Sequence, residues 1–400
     1  MTYLYFLLPC IFISFLGCAL YYAGLGEKGD ILHSFALSFA TLCLIFPLFI
    51  LFGYSFAVSG KNLGGIIGDP FSDFLLRSSL SLSSGVFGPS SAKALEGAVF
   101  YALIACLCLI FISGAGKMRT LPWLIYSILF FIAVFCPLCF IFSAPDGLMA
   151  YSGPFSQFLS VHSASSLPCL LGIIPGCAAL GLEMVLKTDS SKPSMLLLSL
   201  PGCFFLEAGL MGACMGEVIL FGGSPAYAAI AFLLNSSFSG LCFAILEKIF
   251  YKRFSSLSFA TGLLCGGVLS LSCFRLSPLF CLVSSLLTSV AAFFFLRLEN
   301  RLGLKDPFQI LSVNAVPGVL GLIFLSLFSP SSGLFLGKGG SLLAISACSI
   351  LLSALYAFAL SFLIAVLVGR IGRGWGSSGP LDALDLGERY TEEKGWIEKK

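Results

Sequence analysis

The chain has 400 residues, of which 58% are hydrophobic and 10% charged, with a net charge of +3. An ordinary soluble domain carries roughly 25% charged residues, so a water-facing globule is excluded. So small a net charge, with Lys and Arg scattered between apolar runs, argues against nucleic acid as a partner.

Apolar runs of about twenty residues make this an all-α polytopic membrane protein. About eleven membrane-spanning helices are predicted, at roughly 3–23, 32–58, 95–115, 120–143, 155–186, 194–220, 226–250, 255–275, 277–297, 307–328 and 341–369. The first lacks a basic leader and reads as a span rather than a signal peptide. The fifth and last are long enough to tilt or to end in an interfacial turn. One set of connections, with the C-terminal tail, holds most of the Lys and Arg; the other keeps only Lys61, Arg77, Lys93, Arg275 and Lys338. That bias predicts a cell-membrane protein with its N-terminus outside and its C-terminus in the cytoplasm.

The longest outside loop, Ser59–Lys93, is rich in Ser and Gly, and a short interfacial helix is expected at Asp69–Leu82. Pro137, Pro168, Pro175 and Pro317 fall inside spans and predict kinks. The small-residue runs Gly262–Gly267 and Gly318–Gly321 predict close helix contacts. Gly372–Pro380 is a flexible link to a charged tail. Sixteen cysteines would suggest disulfides in a small secreted chain. Nearly all lie within apolar runs, where Cys packs as a small apolar residue, so no disulfide framework is expected. Neither of the two histidines has a partner at ligand spacing, and no metal or cofactor is implied.

Spans one to five and six to ten form two candidate halves, about 1–186 and 194–328, each with an odd number of helices. The second half must then lie upside down relative to the first, which is a 5+5 inverted repeat with its site near the bilayer midplane. The span at 341–369 is an addition outside the repeat, and 370–400 is a cytoplasmic tail. Ser160-Val161-His162-Ser163 in the first half is answered by Ser312-Val313-Asn314-Ala315 in the second. Two polar side chains at matching places in hydrophobic halves point to a site on the symmetry axis.

Several stretches, taken in order, resemble the ammonium transporter (Amt/Mep/Rh) family, of which this chain looks like a divergent member. They are Leu16 to Leu25; Phe52-Gly53-Tyr54-Ser55-Phe56-Ala57; Val161-His162; Lys305-Asp306-Pro307-Phe308 through Val313-Asn314-Ala315-Val316-Pro317-Gly318; and the tail around Leu384 to Tyr390. The resemblance covers almost the whole chain. It implies a multi-pass channel or transporter for ammonium, a homotrimer with one lane per subunit, and a tail segment able to dock a PII-type signalling protein. His162 falls on the first pore histidine of that family, while the second falls on Asn314. The acidic residue upstream of the first histidine falls on Pro154, and the outer-vestibule Trp on Phe142. One gate phenylalanine falls on Ile104, with Phe100 one turn earlier still aromatic, and the other on Ala213. The vestibule Ser falls on Glu217. The scaffold is retained and most of the lane is rewritten.

A neutral imidazole at His162 offers one donor and one acceptor nitrogen, and Asn314 offers an amide and a carbonyl. Asn cannot relay a proton near neutral pH, whereas imidazole can; a His/Asn pair therefore predicts less electrogenic transport than a twin-histidine lane. Glu217, with Phe142 as a weaker cation–π face, is a candidate for recruiting ammonium; the bland alternative is a carboxylate snorkelling to water or pairing across a subunit contact. Glu207 is mid-span, where such acids are functional candidates. Helical spacing puts Glu207, Leu210, Cys214 and Glu217 on one face, which predicts a shared wet path; a protonated Glu hydrogen-bonded to a neighbouring helix is the plainer reading. An ammonium sensor that binds without conducting, and a transporter of another small neutral or amine solute, are the competing functions. A membrane enzyme would need several polar residues gathered at one leaflet, and the sequence displays no such cluster.

Overall fold

The computed structural model describes residues 2–58, 62–63, 66–77, 89–115, 118–150, 153–158, 166–186, 195–221, 223–303, 306, 308–371, 388–389 and 398–399. Among them are 11 helices long and apolar enough to cross a membrane: Leu7–Leu25, Ile31–Ala57, Ala94–Ser113, Thr120–Ser143, Pro168–Leu186, Leu196–Leu220, Pro225–Tyr251, Ser256–Cys273, Pro278–Leu302, Leu311–Phe328 and Ser341–Arg370. They are called the first to eleventh spans below. The face where the first span begins is the N-face, and the opposite one the far face.

Two spans are shorter than the hydropathy predicts. Instead of one helix over 155–186, a short helix Pro154–Phe158 is followed by a span that begins at Pro168. Proline suits a first helical turn, where its missing N–H costs nothing. The tenth span begins at Leu311 rather than 307, because the Asp306 carboxylate accepts the Leu311 N–H at 2.8 Å and caps the helix there. In the long loop the expected helix at Asp69–Leu82 reduces, among the described residues, to a single 3-10 turn at Phe74–Leu76. The Asp69 side chain accepts the Phe71 N–H at 3.1 Å, a local turn that competes with helix formation. Asn62–Leu63 pairs antiparallel with Ile67–Gly68. In the tail, Glu388–Arg389 pairs with Glu398–Lys399, and the rest of the tail lies outside the described residues.

Three of the four span prolines act where they were expected to, through a specific geometry, whereas Pro168 stands at the start of the fifth span because its missing N–H costs nothing there. Wide π-helical turns occupy Phe131–Phe135, Pro168–Ile173 and Leu311–Ala315, just ahead of Pro137, Pro175 and Pro317. A helical proline offers no N–H and its ring collides with the carbonyl four residues back, which in each case lies inside the π turn. Widening the turn by one residue accommodates both defects. The fifth and tenth spans then cross closely: a Cβ added at Gly172 would stand 3.0 Å from Gly318 Cα and 3.2 Å from the Asn314 carbonyl. The π turn of each packs on the regular helix of the other.

That reciprocity extends through the bundle. The first span packs on the third, the second on the third and fourth, and the third on the fifth; the sixth packs on the eighth, the seventh on the eighth and ninth, and the eighth on the tenth. The two halves thus repeat one neighbour pattern, and the first and sixth spans pack on each other. Small residues let that pair approach, since a Cβ at Gly202 would lie 2.5 Å from the Tyr21 nitrogen. Van der Waals closeness of this kind holds helices together in lipid, where apolar burial gives no driving force. The eleventh span lies against the fourth, fifth and tenth, outside the repeat.

Candidate functional site

Asn314 sits on the π turn of the tenth span, at its crossing with the fifth, and is 4% exposed. A buried carboxamide needs polar partners, and a small polar molecule or water can supply them. His162 lies outside the described residues, between the short helix Pro154–Phe158 and the fifth span. The other histidine, His33, is buried and its Nε2 lies 2.9 Å from the Met118 carbonyl oxygen. That contact ties the second span to the turn between the third and fourth.

Toward the N-face, Glu217 of the sixth span is almost wholly buried. Its Oε1 accepts both the backbone N–H and the hydroxyl of Ser166, each at 2.8 Å. Ser166 immediately precedes the fifth span, so the carboxylate occupies a helix N-terminus, where negative charge is favoured. Snorkelling to water is therefore replaced by a contact inside the protein. The Tyr101 phenol faces Glu217 and the hydroxyls of Ser143 and Ser166. Phe100, Ile104, Ala213 and Phe142 are all buried on the third, sixth and fourth spans that frame this end. Tyr101 escaped the sequence reading because it adjoins the expected gate residue and looks like one more aromatic.

Glu207 and Glu217 meet different partners. Its Oε2 accepts the Ser236 hydroxyl of the seventh span at 2.6 Å, and a Cβ on Gly267 of the eighth would stand 2.5 Å from its Oε1. Cys214, midway between the acids, turns its thiol to the Ser270 carbonyl at 3.6 Å. The two acids make separate polar contacts rather than one shared path, because ten residues of helix set them about 15 Å apart along the axis, against different neighbours. Ser236 opens a polar seam between the seventh and ninth spans. Ser285 donates to Asn235 at 2.8 Å, and the Ser239 and Ser289 hydroxyls lie 2.8 Å apart.

Toward the far face the sequence reading missed a cluster. Glu183 of the fifth span, Glu299 of the ninth and Asp306 ahead of the tenth lie near enough to feel one another's charge. Ser312, two residues before Asn314, donates to Glu299 Oε2 at 2.6 Å. Thr261 of the eighth span donates to Gln309 at 3.2 Å beside them. Burial pushes the Asp306 carboxyl up from its usual range, against the backbone N–H groups at the start of the tenth span, which hold it down. An acid inside an apolar span is a signal in itself, and Glu183 carries it; only the fold brings its two companions to it.

The sequence profile described as the Ammonium Transporter Family matches residues 1–373. The chain belongs to that family. An ammonium transporter of Corynebacterium glutamicum is 27% identical over 377 residues, covering 90% of this chain and 81% of the relative. One of Aquifex aeolicus is 25% identical over 328 residues, covering 80% and 74%. The crystal structure of Candida albicans Mep2 superposes with a TM-score of 0.80 at 17% identity, over 93% of this chain and 84% of that one. At that identity the superposition speaks for the fold alone.

Proposed function

We propose that this protein moves ammonium across a cell membrane by passing ammonia through a lane within each subunit, lined by His162 and Asn314. The observation that carries the reading is Asn314, buried on a π turn where two proline-broken spans cross. A cation at the bilayer centre costs about 2.5–3.5 kcal/mol even on insertion scales. A neutral ammonia avoids most of that cost if it meets donors and acceptors along the way. Asn314 provides both, and imidazole at His162 would provide both again.

On the same reading the N-face is outside. Glu217 and the Phe142 ring would draw ammonium toward the lane, with Phe100, Ile104 and Ala213 forming a gate narrower in aromatic surface than the twin-phenylalanine pattern. Glu217→Gln keeps the Ser166 contact while removing the charge, and weaker half-saturation by ammonium is the expected result. The protein would work as a homotrimer in the cell membrane, and its tail would be the docking segment for any PII-type partner. The test is uptake of labelled methylammonium by cells lacking their own transporters. Uptake that Asn314→Leu abolishes supports conduction; a purified protein that binds methylammonium but gives no uptake would make it a sensor.

A further inference from the structure

Where the seventh and ninth spans end at the far face, they carry the same surface pattern. Ile245, Lys248, Ile249 and Lys252 on the seventh are answered by Phe294, Arg297, Leu298 and Arg301 on the ninth. Both read apolar, cation, apolar, cation at matching spacings, which sets each group on one helix face. Arg297 is half-buried and the others are exposed. The acids at this end are buried instead. Glu247 accepts from Ser258 and pairs with Arg253 at 3.4 Å, and Glu299 accepts from Ser312. The outward surface of these two helix ends is therefore positive.

A bias of Lys and Arg toward one face orients a membrane protein, but it asks nothing of how each cation is held. Here the holding is specific. The Arg297 guanidinium lies over Phe250 at 4.6 Å, Tyr251 at 5.4 Å and Phe293 at 5.9 Å from the ring centres. Those rings join the two spans, since Phe250 also meets Phe294 edge-on at 5.4 Å. A guanidinium stacked by its face keeps its N–H edge for an anion, and that planar fork matches a phosphate. Arg297 sits about 8 Å along the axis from the end of the ninth span at Leu302, the depth at which lipid headgroups meet acyl chains. Lys252 closes the seventh span with a left-handed φ of 56°, where the ninth closes on Gly303 at 70°. Glycine takes that conformation freely and lysine does so at a cost. That cost sets a second cation directly after Tyr251.

We infer that these two helix ends form a seat for an anionic phospholipid of the far-face leaflet. Its phosphodiester meets Arg297 and Lys252, with Lys248 and Arg301 at the flanks. Its acyl chains run along the exposed apolar residues of the two matching stripes. Charge selects this occupant, because a zwitterionic headgroup brings a cation of its own into a site already positive. The seat is independent of whether the lane conducts.

The test uses full-length protein stripped of lipid in mild detergent and titrated with phosphatidylglycerol or phosphatidylcholine, while native mass spectrometry counts bound lipids. Phosphatidylglycerol should bind roughly tenfold or more tightly than phosphatidylcholine, and Arg297→Gln/Arg301→Gln should bring the two to parity. Lys248→Gln/Lys252→Gln changes only exposed side chains, should remove part of the difference, and serves if the arginine variant does not fold. Arg275→Gln, near the N-face, should keep the difference, as expected of a local seat rather than of net charge. Inorganic phosphate should leave phosphatidylglycerol bound; displacement by it would mark a free-phosphate site and overturn the lipid seat. Equal binding of both lipids by the wild type overturns it too, and leaves this end to a second copy of the chain. A preference that survives both variants overturns the assignment to these residues.

Discussion

Asn314 can donate and accept a hydrogen bond at the crossing of two spans, yet it cannot take up and release a proton near neutral pH. Replacing it with His would offer the lane a second titratable ring beside His162. Asn314→His is therefore expected to raise the ammonium-evoked current on solid-supported membranes relative to total ammonia flux. An unchanged ratio of current to flux would remove the proton-relay argument. Glu207 gives a second prediction at this scale. Its link to Ser236 joins residues 29 apart on different spans, a pairing that one-dimensional spacing cannot show, although the acid itself was plain in the sequence. In Ser236→Ala the buried carboxyl loses that donor, and a loss of stability of about 1–3 kcal/mol is expected. Thermal unfolding in detergent measures it, and a further Glu207→Leu substitution in that background should recover part of the loss.

Helices in this protein owe their length to hydropathy and their shape to proline. Hydropathy marked the eleven spans well, because twenty apolar residues in a row have few other outcomes. It could not locate where the fifth and tenth begin, since those starts depend on Pro168 and on the Asp306 cap rather than on apolar content. Nor could it show that Pro175 and Pro317 are absorbed by π turns rather than by open kinks. Those turns decide which side chains reach the crossing. Pro317→Ala restores a backbone N–H and removes the ring clash that the π turn of the tenth span accommodates. A return to regular α-helix would rotate Asn314 away from its present bearing, so methylammonium uptake should fall while the protein remains folded and membrane-inserted. Retained uptake would mean that the turn does not aim this residue. Gly318 is the companion test, since a Cβ there stands 3.1 Å from Gly172 Cα. Gly318→Leu should force the two spans apart at a cost of about 1–3 kcal/mol, read as a lower unfolding temperature.

At the scale of the whole molecule, the odd number of spans in each half made the inversion legible before any coordinate, and the repeated neighbour pattern agrees with it. What the count of spans could not reveal is how the surface divides. The first and sixth spans turn their glycines toward each other and leave Phe12, Leu16, Phe204 and Phe205 exposed. The seventh and ninth leave Ile230, Leu233, Leu241, Leu286 and Leu287 exposed. These two apolar faces come from different elements and are not copies of each other, so a contact between them is head-to-tail. Head-to-tail contacts form rings where the rotation closes and filaments where it does not, and the threefold assembly proposed above is a closed ring of that kind. Native mass spectrometry of the protein released from mild detergent should show three copies. Phe204→Glu, placing a charge on one face without touching the lane, should shift the assembly toward single subunits. A wild-type protein that stays monomeric would show that both faces meet only lipid.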